Sequence, residues 1–218
     1  MDIDPNRLSI AERYKILIGG IVPRPIAFVS SMSPRGRLNL APFSFFNGVG
    51  SHPMTLVFCP ANKEDGSDKD TLRNVLPHEQ GGLGEFVVNV ASERFAPRVA
   101  AAAEPLAYEE SEFDLVGLTP APSRIVRPPR VLESPLSLEC RTRHVLRLNP
   151  GAPSGGNLAV GEVVWIHAAD GLIDSRYRVD PDALAAIGRM GGIGYCRTRD
   201  RFEIPMGRAA LEQDRPTA

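Results

Sequence analysis

The chain has 218 residues, of which 43% are hydrophobic and 23% are charged, and its formal net charge is −1 at pH 7. This length suits one large domain, and the composition is that of an ordinary soluble globular protein. The nearly balanced charge gives no electrostatic basis for binding nucleic acid or an anionic membrane. No apolar run approaches the roughly 20 residues that span a bilayer. The first residues lack the basic and apolar regions of a signal peptide, so we expect a cytoplasmic protein.

The cysteine and proline contents narrow the class of protein further. Cys59, Cys140 and Cys196 are far apart and odd in number, which disfavours a disulfide framework or a zinc site. The four histidines have no metal-ligand spacing, so we expect no metal. The 20 prolines disfavour a helical bundle and favour short elements joined by turns.

The first predicted elements are a helix and a strand. Residues 8–18 have apolar residues at helical spacing, and Ser9 and Glu12 are placed to form a capping box. The apolar run that follows Arg24-Pro25 predicts a strand that ends on two hydroxyl side chains, and the turn residues at 33–36 come next.

The rest of the chain is rich in strand patterns. Further strands are predicted at residues 54–59, 85–90, 137–148 and 158–168, and short helices at 69–76, 92–103 and 180–190. Gly161 indicates a bulge or a tight bend within its strand. The broken segment 104–122 is long for a loop in a compact domain, which is typical of a functional or covering loop. Because turns rather than crossover helices separate the strands, we predict an antiparallel barrel.

Two stretches combine residue types that suit ligand binding. Residues 39–47 mix Asn39, Ser44 and Asn47 with three phenylalanines, which suits a flat, partly apolar ligand held by a few hydrogen bonds. Residues 69–71 place an ammonium group, a hydroxyl and free backbone N–H groups together where a helix begins, which favours a phosphate. The alternative is that these residues only cap the helix and that the lysine is solvated.

The standard nucleotide and hydrolase motifs are missing. The sequence contains no GxxxxGK[ST] loop, no GxGxxG between a strand and a helix, no HExxH and no GxSxG. A nucleotide ligand would therefore not be held on a Rossmann or Walker loop.

An ordered set of blocks resembles the flavin-reductase-like family of FMN-binding split barrels, to which flavoredoxin-like proteins belong. The blocks are RPIAFVSS, GRLNLAPFSFFNGVGSHPMTLVF, KDTLRN, GEFVVN, SEFDLVGLTPAPS, VLESPLSLEC and GRMGGIGY. They span a core of residues 14–198, and residues 207–218 form a polar tail. The resemblance implies a single mainly-β domain over residues 1–218. Its fold would be a six-stranded Greek-key antiparallel barrel with flanking helices, which binds FMN non-covalently near a homodimer interface.

The resemblance also assigns residues to the flavin. Those implied at the isoalloxazine ring are Ser30, Ser31, Asn39, Ala41, Pro42, Phe43 and Ser44, with Asn47 in the same block. Those implied at the ribityl phosphate are Arg24, Lys69, Asp70 and Thr71. Those implied from later blocks are Asn89, Arg189 and Tyr195. Strand geometry cannot bring every residue of 39–47 to one ligand. The acidic residues between 64 and 68 should point away from a phosphate.

The implied activity is that of an FMN-dependent oxidoreductase of the NAD(P)H:flavin reductase type. NADH or NADPH would donate hydride, and the electrons would pass to free flavin, a redox partner protein or an oxygenase. The alternative is a flavoredoxin-like electron carrier or flavin-binding module with little turnover of its own. Hydride transfer to flavin requires no protein acid or base, so no catalytic residue is predicted. Residues 104–122 and 134–140 carry apolar side chains that one small barrel would leave uncovered, which favours a two-fold homodimer.

Overall fold

The computed structural model describes residues 1–107 and 110–212, so that positions 108 and 109 of the predicted loop and residues 213–218 of the predicted tail lie outside it. The helices are α1 (Ile10–Gly20), α2 (Asp70–Val75), α3 (Ala96–Ala101), α4 (Glu112–Val116), α5 (Pro181–Leu184) and α6 (Ala209–Glu212). The first strands are β1 (Arg24–Pro25), β2 (Ala27–Met32), β3 (Leu38–Phe43), β4 (Phe46–Ser51), β5 (Met54–Phe58) and β6 (Glu85–Val90). The later strands are β7 (Pro120–Ala121), β8 (Arg130–Val131), β9 (Leu136–Arg147), β10 (Asn157–Ala168), β11 (Ile187–Arg189) and β12 (Tyr195–Arg197).

The main sheet has seven antiparallel strands in the order β3-β2-β6-β9-β10-β5-β4. It curves around one core, because the rings of Phe43 near one edge and Phe58 near the other have centroids 5.2 Å apart. Phe86 of the interior strand β6 completes this contact, with its ring centroid 5.2 Å from that of Phe58. β3 and β4 are the two ends of the strand order and leave the barrel split between them. This confirms the mainly-β split barrel. The sheet has seven strands where six were expected, because the end of the 39–47 stretch begins a separate strand, β4.

Two apolar clusters lie on opposite faces of the sheet. Ala27 and Val29 of β2 point into the barrel, where Phe58 and Phe86 also lie. Phe28, between them in sequence, points to the outer face and packs with Phe95, next to α3. Alternation along β2 is the reason, because successive side chains in a strand face opposite sides.

Gly161 is where the long hairpin β9–β10 bends. The register of the two strands shifts between Val160 and Gly161, which confirms the predicted irregularity. A Cβ atom at Gly161 would lie 2.4 Å from Cζ of Phe86. The glycine therefore lets the bent strand approach a core ring that any side chain would displace.

The helix starts follow their local signals. The amide of Glu12 donates to Ser9 Oγ over 3.3 Å, and the amide of Ser9 donates to Glu12 Oε2 over 2.8 Å, so the predicted capping box is present. The segment 92–103 divides into a 3₁₀ turn capped by Ser92 and the short helix α3, which has Pro97 in its first turn. Among the described residues, no helix is long and apolar enough to cross a membrane.

The helix predicted at residues 180–190 is wrong beyond its first turn. α5 ends at Leu184, and Ala185 takes a left-handed conformation with φ 44°. The next residues form β11, which pairs with β1 on one side and β12 on the other. Pairing on both edges outweighs the helical spacing of the apolar residues, and Gly188 allows Cys196 to pack closely against it.

Glu139 of β9 is a buried carboxylate that fastens a loop to the barrel. It is fully shielded from solvent, and it accepts the backbone amides of Arg124, Ile125 and Val126 over 2.6 to 3.0 Å. Nε2 of His167 lies 2.6 Å from the same carboxylate. Burial alone would raise the pKa of Glu139, but these hydrogen bonds together hold it below its ordinary value.

We expect Glu139→Ala to lower the free energy of unfolding by about 3 kcal/mol, because it leaves several buried donors without an acceptor. The lowered pKa means that this stabilisation is present above the ordinary carboxylate pKa and is lost as the pH falls through the folded-state value. Urea unfolding as a function of pH measures both effects. The control is Glu162→Ala on β10, whose partner Arg143 is exposed and which should cost no more than about 1 kcal/mol. Equal losses for the two variants would contradict the role of Glu139.

Candidate functional site

A cleft opens beside the edge strand β3. Its walls are β3, the start of α2, and residues 102–107, 110 and 112 before and at the start of α4. The residues predicted from the sequence that line it are Asn39, Ala41, Pro42, Phe43, Lys69, Asp70 and Thr71. The two stretches singled out above therefore meet in one place.

A buried network of polar side chains holds the cleft together. Asn39 Nδ2 donates to Thr71 Oγ1 over 2.9 Å and to Ser31 Oγ over 3.2 Å. Asn74 Nδ2, one turn along α2, donates to the same Ser31 Oγ over 3.0 Å. Because Thr71 Oγ1 accepts a hydrogen bond here, its own proton remains available to a ligand in the cleft. Ser31 itself lies behind the cleft wall and supports Asn39.

Lysine side chains give one end of the cleft a positive potential. Lys69 is the N-cap residue of α2, yet neither it nor its neighbours make a side-chain cap. Although the Lys69 side chain is exposed, packing around its ammonium lowers its pKa, and Lys63 lowers it further. Within the described residues, the Lys69 ammonium has no hydrogen-bond or ion-pair partner. Lys63, 4.0 Å from Asp70, and Arg37 line the same end.

Three acidic residues near this end, Asp65, Asp68 and Asp70, pair with other side chains. Asp70 pairs with Arg73 as well as with Lys63. Asp65 accepts hydrogen bonds from Ser67, and Asp68 pairs with Arg147 of β9. The positive end is therefore not neutralised by the loop at residues 64–68, and it suits an anion.

The opposite part of the cleft is apolar. Ala41, Pro42 and Phe43 present the flat surface of β3, and the backbone segment 102–107 faces them. The cavity encloses about 220 Å³, below the roughly 300–1,000 Å³ of a typical ligand pocket. A flat ligand with a terminal anion fits this arrangement, and part of it would extend beyond the enclosed space.

Arg24 is not at this site. It is only 3% exposed, and its guanidinium donates to the carbonyls of Ile18, Ile21 and Met190 and to Ser44 Oγ. These bonds tie the end of α1 to the strand β11. In this chain Arg24 and Ser44 therefore bond to each other and to neighbouring elements, outside the cleft.

Ser30 and Asn89 also lie away from the cleft. Asn89 donates to the Phe28 carbonyl and to Ser30 Oγ, and it accepts from the amide of Val131 and from Ser137 Oγ. Ser30 donates to the carbonyl of Pro129. Since Ser30 and Ser31 are consecutive in β2, they face opposite sides of the sheet, and only Ser31 supports the cleft.

The remaining predicted residues lie outside the cleft as well. Asn47 is exposed on β4, where its side chain accepts the amide of Gly48. The guanidinium of Arg189 lies 4.5 Å from the ring centroid of Tyr195 and donates to the carbonyl of Gly194. These two side chains stabilise the turn between β11 and β12 in this chain.

Several cleft residues were not predicted from the sequence. They are Ser33, Arg37, Lys63, Asn74 and Glu112, with residues 102–107. Residues 104–107 and Glu112 lie in the segment 104–122, whose length predicted a functional or covering loop without marking single residues. Asn74 lies three residues after Thr71, so helical spacing could have placed it on the same face. Lys63 and Glu112 come from segments whose positions depend on the whole fold, and no local pattern marks them.

The chain is similar to several known proteins over nearly its whole length. The family model described as "Flavin reductase like domain" matches residues 19–181. An uncharacterised protein of Halalkalibacterium halodurans is 36% identical over 218 residues, covering 100% of this chain and 97% of that protein. The crystal structure of nitrilotriacetate monooxygenase component B from Bacillus cereus is 34% identical with a TM-score of 0.85, covering 94% of this chain and 98% of that one.

A second solved structure is similar to this chain in both sequence and fold. The 2-nitrobenzoate 2-nitroreductase NbaA of Pseudomonas fluorescens is 31% identical with a TM-score of 0.82, and the match covers 95% of this chain and 97% of that one. Because the family model matches most of the chain and these relatives match nearly all of it, the protein belongs to the flavin reductase-like family.

Proposed function

We propose that this protein is an FMN-dependent oxidoreductase that takes electrons from NADH or NADPH. The observation that carries the proposal is the cleft. The Lys69 ammonium, which has no partner among the described residues, stands at one end, and the apolar surface of Ala41, Pro42 and Phe43 stands at the other. This pairing matches the terminal phosphate and the flat ring of FMN. Membership of the family supports the same cofactor.

The residues of the chain would bind and orient the cofactor. Lys69 and Lys63 would neutralise the phosphate, and Thr71 would donate its hydroxyl proton to it. The buried bonds from Asn39 and Asn74 to Ser31 would fix these groups before the ligand arrives, which reduces the cost of ordering them. Phe43 and the segment 102–107 would exclude water from the ring. When bound, the flavin itself would supply the redox chemistry.

The electron acceptor is proposed from the relatives. Component B of nitrilotriacetate monooxygenase is, by its name, one part of an oxygenase system, so we infer that reduced flavin passes to an oxygenase or another acceptor. The alternative is a flavoredoxin-like carrier, which would bind the same flavin and exchange electrons only with a redox protein.

A homodimer forms part of the proposal. The block 134–140, expected to be uncovered, is instead mostly packed within the chain. One exposed apolar surface is on α1, which buries none of its residues and exposes Ile10, Tyr14, Ile16 and Leu17 by about half. We propose that a second copy covers this helix and helps to complete the open side of the cleft.

We expect NADH or NADPH to bleach the flavin of the loaded protein at a catalytic rate when oxygen is excluded. Stopped-flow absorbance in the visible flavin band, with each nicotinamide in turn, measures the rate. Bleaching that is slow with both nicotinamides but fast with a reduced redox protein would favour the carrier and contradict the reductase.

We expect Lys69→Ala to weaken FMN binding by about 1.5–3 kcal/mol, the usual contribution of a hydrogen bond to a charged group. This corresponds to a roughly 10- to 100-fold higher dissociation constant. Thr71→Val should cost less, because its hydroxyl is neutral. Riboflavin has no phosphate, so its affinity should not respond to Lys69→Ala. Fluorescence titration of both ligands provides the comparison.

The matched control removes a positive charge that does not line the cleft. Arg141→Ala on β9, whose guanidinium is exposed, should leave both affinities unchanged. If Lys69→Ala weakens riboflavin as much as FMN, the lysine acts on the ring site or the fold, and the phosphate assignment is wrong.

We expect light scattering at micromolar concentration to give twice the monomer mass of 23.7 kDa. Replacing Tyr14 and Leu17 together by serine should shift the protein toward the monomer, because both side chains are exposed on α1. A monomer mass for the unchanged protein would refute the homodimer.

A further inference from the structure

Glu112 is a half-buried carboxylate in the wall of the cleft. Its Oε2 accepts the backbone amide of Leu40 over 2.9 Å, on the outer side of the edge strand β3. The next residue of α4, Phe113, is 2% exposed and packs in the outer apolar cluster with Val116. The helix is thus anchored, which places the backbone of Glu112 at the wall of the cleft.

The carboxylate lines the same cleft as the groups that would hold a phosphate, Lys63, Lys69 and Thr71. Leu40, which donates to Glu112, directly follows Asn39, which donates to Thr71 over 2.9 Å. Burial raises the pKa of Glu112, the bond from Leu40 opposes that change, and the Asp70 carboxylate raises the pKa further. The negative charge of Asp70 therefore reaches Glu112 across the cleft.

The charged groups around Glu112 come from every wall of the cleft. They are Arg37 before β3, Lys63 and Lys69 before α2, Asp70 on α2, and Glu104 and Glu110 on the segment that contains Glu112. The lysines attract an anion to this end, and the carboxylates of Asp70 and Glu112, which interact with each other, oppose it. Asp70 is paired with Arg73, whereas Glu112 accepts a hydrogen bond from a neutral backbone amide, that of Leu40.

We propose that Glu112 sets how strongly the cleft prefers a phosphorylated over an unphosphorylated flavin, by opposing the phosphate until it takes up a proton on binding. The inference rests on the proposed function, since it takes FMN as the ligand. A phosphate monoester carries a charge of about −1.5 to −2 at neutral pH. Like charges repel strongly in a partly desolvated cleft. Protonation removes the repulsion and leaves the carbonyl oxygen of Glu112 to accept from Leu40.

Two consequences follow for binding. FMN takes up a proton from solution when it binds, and its affinity falls as the pH rises and the carboxylate becomes harder to protonate. Riboflavin shows neither effect, because it brings no charge to this end of the cleft.

Glu112→Gln tests the inference, because the amide oxygen of glutamine still accepts from Leu40 while the charge is gone. We expect the variant to bind FMN about tenfold more tightly at mildly alkaline pH, with the difference shrinking at mildly acidic pH. Riboflavin affinity should stay within about twofold. The phosphate of FMN titrates by itself, but equally with both proteins, so the ratio of their affinities isolates Glu112.

Asp114→Asn is the matched control, since it removes the same charge from an exposed position of the same helix. Its FMN affinity should equal that of the unchanged protein. Calorimetry of FMN binding in two buffers of different ionisation enthalpy adds a direct count of protons. The unchanged protein should take up more protons than Glu112→Gln.

Three results would overturn the inference. The first is that Glu112→Gln has the same FMN affinity and the same proton uptake as the unchanged protein. The second is that Asp114→Asn gains as much FMN affinity as Glu112→Gln, which would show an effect of net charge alone. The third is an equal change for riboflavin and FMN, which would place Glu112 at the ring or in the fold. If the unchanged protein binds neither flavin, the proposed function fails, and this inference fails with it.

Discussion

The candidate site depends on the hydrogen bonds that meet at Ser31. The amides of Asn39 and Asn74 both donate to this hydroxyl, and Asn39 also donates to Thr71. Through these bonds, β2, β3 and α2 hold one another in a fixed arrangement, and all four side chains are shielded from solvent. Unpaired polar groups at this depth are costly, so the network tolerates few other arrangements. The short helix α2 is placed by this network rather than by its own propensity.

The sequence predicted most of the fold wherever neighbouring side chains determine the local structure. The capping box of Ser9 and Glu12, the strand Glu85–Val90 and the irregularity at Gly161 follow from side-chain types and their spacing. The structure of the segment after α5 could not be predicted in this way. Its apolar residues have helical spacing, but they form the strand β11 because β1 and β12 pair with it on both sides. Strand pairing between residues far apart in sequence leaves no local signal.

The sequence predicted the candidate site only in part, because contacts between distant segments decide which side chains line it. The stretches at 39–43 and 69–71 combine polar and apolar groups in a way that a core strand or a solvated helix does not need. Arg24, Ser30 and Asn89 are polar as well, but their side chains already form hydrogen bonds with backbone carbonyls and amides of this chain. Sequence shows which side chains can form hydrogen bonds, and only the fold shows which of them already have partners.

The bond between Glu112 and the amide of Leu40 also bears on how the chain avoids association. β3 is an edge of the main sheet, and its outward amides are a template on which another chain could add a strand. Glu112 occupies one of these donors and brings a negative charge to the edge. The opposite edge, β4, is interrupted instead by an irregularity between Gly48 and Gly50, and bulges of this kind twist an edge away from pairing. A split barrel must expose two such edges, and in this chain each is guarded against aggregation by a different means.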